Sequence, residues 1–314
     1  NAAEDRPDKT RGVYQCLKVP NFDAAGNITG WSYSANPARV ALYGIYVDTL
    51  RKYPDAGDGL LQVILSRRVD WVSLQNLKTV CDETISWDDG TSTRSIPRFE
   101  CHIAFDNAVN LGQFLAAVLA TCGGYPQDDG GVWRFVTPLD TASSHHFSDG
   151  SDGRPCNIVA DSMVVEPAAM RDKVRMTGAA FGDTDDDWLL RSIVPYRNDE
   201  LVERYGEQAY SLREFTNMTY SQAQRLLRRQ VIIENSDVAT LRGMEDALRL
   251  LPGDFCTVTN AYHGWVNQKC LIGAAEPLPN ESSAGEVQVS LIKRDESFYE
   301  DTWHTEKQVS VTPE

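Results

Sequence analysis

Histidine is scarce in this chain of 314 residues, with five in all, His102, His145, His146, His263 and His304, so imidazole chemistry has few places to occur. His145 and His146 are adjacent and project to opposite faces of any strand, which prevents them from serving as a ligand pair. No His-Glu-x-x-His pattern sets two imidazoles one helical turn apart for zinc. A carboxylate dyad or zinc site of a hydrolase would be sought first at Glu83, Asp88, Asp89 and His102. His102 itself lies in the apolar run "FECHIAF", where a hydrogen-bonded core or edge imidazole is expected, and His263 in "NAYHGW" reads as a turn residue.

Two acidic runs carry oxygen atoms that suit a hard cation. "DTDDD" at 183–187 starts like a calcium loop, yet it lacks the central Gly and has Val194 where a bidentate Glu is needed, so it reads as a solvated hairpin tip. "SDGSDG" at 148–153 has oxygen ligands without a spacing that encloses an ion. No Gly-x-Ser-x-Gly elbow, phosphate-cradling loop or dinucleotide fingerprint occurs. The sequence therefore assigns no catalytic, cofactor-binding or metal residue, which moves the weight from catalysis to binding and assembly.

Composition narrows the classes further. The chain is 42% hydrophobic and 24% charged, as folded proteins are, and no stretch approaches the ~20 apolar residues of a membrane-spanning helix. Forty-five acidic against 30 basic residues leave a net charge of −15, which argues against gripping nucleic acid. The basic cluster "QRLLRRQ" at 224–230 reads as the solvated face of a helix whose buried face is Leu226, Leu227, Val231 and Ile232. Seven scattered cysteines (Cys16, Cys81, Cys101, Cys122, Cys156, Cys256, Cys270), with no Cys-x-x-Cys pair, read as buried reduced thiols. The three sequons at Asn27, Asn217 and Asn280 read as chance matches.

The elements that would carry such residues can be placed by periodicity. Residues 1–12 are polar and read as a disordered or linker start, and 13–35 as first strands with a turn near Gly26 and Gly30. Asn36 and Pro37 are a helix start, followed by an apolar stripe of Val40, Ala41, Tyr43, Ile45, Tyr46, Val47 and Leu50. Asp70 caps a second helix whose Trp71, Leu74, Leu77, Val80 and Cys81 share a face, and Asp106 caps a third that ends at Gly123. Together, 36–140 form a helix-containing α+β domain. Residues 141–156 form a polar loop, and 157–296 a β-rich barrel or sandwich interrupted by one long helix near 219–235, where Thr219 and Gln222 have capping-box spacing. Residues 297–314 are a tail or linker.

In order, the chain presents "NPARVALYGI", "TVCDETI", "PRFECHIAF", "NAVNLGQFLAAVLATCGG", "GVWRFV", "MRDKVRMTG", "DELVERYGEQAY", "REFTNMTYSQAQRLLRRQ" and "LLPGDFCTV". This succession, from about residue 13 to about 295, resembles the tail tip attachment proteins of long-tailed phages, the lambda-type host specificity protein J family, in their central tail-hub region. His102 departs from the pattern, standing where such proteins often have Asn, and "GDTDDDW" replaces an aromatic Asp-Pro.

The resemblance implies an α+β fold of β-rich hub domains with an inserted helix-containing domain. It implies a non-enzymatic virion structural protein without cofactor, assembled in the bacterial host cytoplasm, in which a homotrimer closes the tail tube and opens for genome passage. Implied partners are tail tube and distal tail (baseplate) proteins, the tape measure protein, and a central fibre or receptor-binding modules. DNA would pass the lumen without specific binding. Family members continue into fibronectin-like and receptor-binding modules, so host receptor recognition is not assigned to these residues. The alternatives are a tail-associated cell-wall hydrolase and a carbohydrate-binding module, the latter signalled by an exposed Trp in a shallow groove.

Overall fold

The computed structural model describes residues 18–88, 93–103, 109–137, 143–167, 173–183, 190–207, 212–278 and 285–294. It begins with an antiparallel pair, β1 (Lys18–Phe22) and β2 (Ile28–Tyr33), turned at Gly26, whose φ of +84° suits glycine. Helix α1 (Pro37–Lys52) follows. The Asn36 side chain accepts from Ala38 N at 2.9 Å, as its position before Pro37 predicts, and its amide nitrogen also donates to Lys78 O and Asp82 Oδ1. The buried stripe is Ala38, Ala41, Leu42, Ile45 and Thr49; Val47 lies on the exposed side, so the expected stripe is corrected by a rotation that brings in Leu42.

The apolar stretch at 60–65 belongs to α2 (Asp58–Arg68), which buries Leu61 and Leu65. Helix α3 (Trp71–Asp82) starts at Asp70, whose carboxylate accepts from Val72 N and Ser73 N. A hairpin, β3 (Thr84–Asp88) with β4 (Thr93–Pro97), leads to α4 (Leu111–Ala120). Asp106 lies outside the described residues, and the N-cap of α4 is Asn110, in a reciprocal capping box with Gln113. A second hairpin, β5 (Tyr125–Asp129) with β6 (Val132–Val136), completes this part.

The polar stretch 141–156 is not all loop. His145–Ser148 form β7, because four residues there pair in parallel with β13 (Phe255–Asn260), and Phe147 is fully buried. After β8 (Val164–Glu166) come β9 (Met176–Asp183) and β10 (Leu190–Arg197), then α5 (Asp199–Tyr205), which Gly206 ends at φ +80°. β11 (Leu212–Met218) leads into α6 (Tyr220–Glu234). Most of the expected acidic tip at 183–187 lies outside the described residues.

The remaining strands are β12 (Val238–Gly243), β14 (Trp265–Pro277) and β15 (Val287–Lys293), with a 3-10 turn at Glu245–Arg249. They form a six-stranded mixed sheet in the order β7-β13-β14-β15-β12-β8, while β10-β9-β11 make a separate sheet of three. The class is α+β. Among the described residues no strand ladder closes the six-stranded sheet into a barrel. Asn157 bridges instead: its Oδ1 accepts from Ser148 N, its Nδ2 donates to His146 O, and the adjacent Ile158 pairs with Gly243 of β12.

Two hydrophobic cores result. One joins Phe22 to Phe135 of the helical part with Ala179, Phe181, Ile193 and the α6 residues Ala223, Leu226 and Leu227. The other lies under the six-stranded sheet and contains Phe147, Val258, Ile272, Val289 and Leu291. The long helix, expected as an interruption of the β-rich part, therefore serves the helical core and the three-stranded sheet.

Candidate functional site

The largest concentration of buried polar side chains is on α6. The Thr219 hydroxyl oxygen accepts from Gln222 N at 3.4 Å, which is half of a capping box. The other half is diverted. Gln222, 1% exposed, turns its amide away from the Thr219 backbone and donates to Glu100 O at 2.8 Å and to Thr121 O, while Glu100 N donates to Gln222 Oε1 at 3.1 Å. One side chain thus ties α6 both to the stretch after β4 and to the end of α4.

One turn along, Arg225 donates to Arg98 O, and the Arg225 and Arg229 guanidiniums lie 5.0 and 5.3 Å from the centre of the Phe99 ring. All three side chains are buried, at 5% exposure or less. The basic cluster expected to be solvated is therefore corrected. Two of its three arginines, Arg225 and Arg229, stack on an enclosed aromatic ring, an arrangement worth ~2 kcal/mol when desolvated. Arg229 also helps hold the Cys122 thiol below its usual range, the larger cause being the Cys81 thiol that hydrogen-bonds to it, whereas burial pushes Cys81 up.

A second joint links the helical part to the six-stranded sheet. Arg134 of β6 pairs with Asp254, whose other oxygen accepts from Leu251 N at 2.9 Å. Gly253 between them, at φ +91°, donates its N–H to Ile272 O and packs so closely on β5 and β6 that a Cβ would fall 2.6 Å from Val136 and 2.7 Å from the Tyr125 hydroxyl.

The third cluster surrounds β7. His146 Nε2 lies 2.9 Å from Asp152 Oδ2 and Nδ1 lies 2.7 Å from Thr257 Oγ1. A carboxylate only accepts, so with a neutral ring Nε2 carries the proton and the Thr257 hydroxyl donates to Nδ1. Hydroxyl, imidazole and carboxylate stand in the order of a nucleophile, base and orienting acid. Asp152, however, also accepts from the Ser148 hydroxyl at 2.6 Å and from Arg154 N at 3.1 Å, and Thr257 is held mid-strand between β7 and β14. These bonds pull the Asp152 carboxyl down to about 2, Ser148 being the largest cause. Neighbouring Asp149 accepts from Ala261 N at 2.7 Å, so the cluster pins the 148–154 loop to the sheet. His145, on the opposite face, lies 4.5 Å from the Phe147 ring, and burial lowers its pKa.

Of the residues sought for a hydrolase, Glu83 and His102 have partners of their own, and Asp88 ends β3. Glu83 is taken by Arg98 at 2.9 Å, and His102 faces Glu100 at 3.5 Å. Asp89 lies outside the described residues, as does His304. Among the described residues no group of three metal-ligating side chains converges, and no helix is long and apolar enough to cross a membrane. His263 sits in a turn as expected, with Nε2 3.1 Å from Met163 O. Cys156 is exposed, which corrects the expectation that every cysteine is buried; Cys16 lies outside the described residues.

No protein-family model matches the sequence, and no curated protein matches it. Solved structures to which the chain shows similarity include three particle and tail proteins. A chain of the "Virion of native gene transfer agent (GTA) particle" shares 16% identity at a TM-score of 0.48, over 62% of this chain and 41% of that one. The tail protein from Neisseria meningitidis MC58 shares 10% identity at 0.49, over 91% of this chain and 71% of that one. The prophage tail protein gp18 from Listeria monocytogenes EGD-e shares 13% at 0.36, over 69% and 68%. This chain thus spans less than half of the first of these. None of the scores reaches 0.5, so function is argued from the residues.

Proposed function

We propose that the chain is a structural subunit of a phage or prophage-derived tail tip, a hub that closes the tail tube, carries the central fibre and opens for genome passage. The observation that carries the reading is where the ordered sequence landmarks fall. "PRFECHIAF" supplies Phe99 and Glu100, and "REFTNMTYSQAQRLLRRQ" supplies the Arg225 and Arg229 that stack on the first and the Gln222 that bonds the second. "GVWRFV" supplies the Arg134 that meets Asp254 of "LLPGDFCTV". Landmarks far apart in sequence are the two halves of rigid joints, which is what a load-bearing ring segment needs and a catalytic cleft does not.

In this reading the six-stranded sheet is the hub wall and the helical part is the inserted domain. Copies form a closed homotrimer, because a hub must match a rotationally symmetric tube, and strands at sheet edges such as β8, β10 and β11 gain partners that way. Neighbours in the particle are tube, distal tail and tape measure proteins. The test is symmetry-free cryo-EM of assembled tails carrying this protein. Three copies around the tip axis are expected; a single off-axis copy, or one projecting from the side, overturns the hub.

A further inference from the structure

Away from both joints, a cleft of about 530 Å³ opens between β2 and α2, walled by Trp31 and Tyr46, floored by Leu61 and Leu65, and rimmed by Asn27, Thr29, Asp58 and Gln62. We propose that this cleft is a binding site for a neutral saccharide, with Trp31 as the platform for a pyranose ring. The inference is independent of the hub reading.

The aromatic wall is presented on purpose by strand alternation. Thr29, Trp31 and Tyr33 are the exposed residues of β2, at every second position, so one face carries a hydroxyl and two aromatic rings. Trp31 is 40% exposed, far more than a structural indole needs. Its orientation is nevertheless fixed: Tyr46 meets it edge-on at 5.0 Å and 74°, and Tyr43 at 6.5 Å and 89°. A half-exposed, immobilised aromatic plane beside polar side chains suits the apolar face and equatorial hydroxyls of a sugar ring, since the two kinds of contact are needed side by side.

The polar groups are arranged accordingly. Gln62 is held by donating to Gly26 O at 2.6 Å and accepting from Ile28 N at 3.4 Å, which leaves one N–H of its amide for a ligand. Asn27 spends its amide nitrogen on Asp23. Its carbonyl oxygen remains an acceptor. Among the described residues the Asp58 carboxylate and the Thr29 hydroxyl have no hydrogen-bond or ion-pair partner, so both are free to meet ligand hydroxyls. Asp58 is also the only charged side chain of the lining, and it disfavours anionic glycans.

The experiment titrates the full chain with maltotriose, cellotriose and tri-N-acetylchitotriose, and with heparin oligosaccharides as an anionic contrast, by isothermal calorimetry and saturation-transfer NMR. Binding of at least one neutral trisaccharide is expected, weakened roughly tenfold or more by Trp31→Ala. Gly59→Leu serves as a second variant, because a Cβ there meets nothing within 4 Å, so it narrows the cleft without disturbing the fold; it is expected to block binding at unchanged melting temperature. Absence of binding by all three neutral sugars, tighter binding of heparin, or affinity indifferent to both variants overturns the proposal.

Discussion

Replacing Gln222 by Leu tests whether α6 is held mainly by apolar packing or by the diverted amide. The side chain makes three hydrogen bonds, with Glu100 N, Glu100 O and Thr121 O, in a setting where it is 1% exposed. Leucine is close in volume and fills the space, but leaves one N–H and two carbonyls without that partner. At roughly 1–3 kcal/mol for each unsatisfied buried group, and with carbonyls the more tolerant, the loss should be about 3–5 kcal/mol. That is a large part of the ~5–15 kcal/mol by which domains are stable. The assay is urea unfolding followed by tryptophan fluorescence, reading the midpoint at constant slope. Thr219→Ala provides the scale, since it removes only the cap, worth about 1 kcal/mol. A Gln222→Leu protein that loses no more than Thr219→Ala would refute the argument, because the amide would then be no more than a capping residue.

Gly253→Ala forces a Cβ against Val136 and the Tyr125 hydroxyl at a positive φ, and should destabilise by about 2–4 kcal/mol in the same assay; a loss under ~1 kcal/mol would mean the joint yields. In native alkylation followed by peptide mapping, Cys156 should label first. Cys81, Cys101, Cys122, Cys256 and Cys270 should stay protected, burial having pushed Cys101 and Cys270 up to about 12. The Asp152 carboxyl is depressed in the folded state, so its contribution is complete above its ordinary value of 3.8 and is lost as pH falls toward about 2. The protection factors of amides 148–154, each intrinsic rate divided by the observed rate at the same pH, should therefore fall below pH ~4, and Asp152→Asn should lower them at neutral pH.

Local signals in the sequence were legible where the chemistry is local. Asn36, Asp70 and Thr219 cap the helices they precede, because each acts on backbone within a few residues. What depends on partners distant in sequence was not. Arg225 and Arg229 read as a solvated face until Phe99, more than a hundred residues away, occupied the space between them and solvent. Gln222 has the right spacing for a capping box, and only the fold brings Glu100 and Thr121 within its reach. β7 was hidden in a Ser- and Asp-rich run because a four-residue strand pairing in parallel has no composition of its own. Trp31 carried no motif at all, and its period-two exposure with Thr29 and Tyr33 becomes meaningful only once α1 and α2 wall the cleft.

The buried arginines also change what the net charge means. Among the described residues the charged side chains that are fully buried are Arg225, Arg229 and Arg294, all positive. Arg225 and Arg229 lie against the Phe99 ring and Arg225 donates to Arg98 O, whereas no carboxylate among the described residues is buried to the same degree. The surface met by a partner or a passing polyanion is therefore more acidic than −15 over 314 residues suggests. In a ring this gives a wall that repels phosphate at short range, with the effect confined to about 8–10 Å by physiological salt. A lumen narrow enough for its walls to lie within that distance of DNA keeps the polymer off its sides, while a wide one exerts no such force. The same withdrawal of positive charge disfavours anionic ligands, while neutral ones, sugars among them, are not repelled.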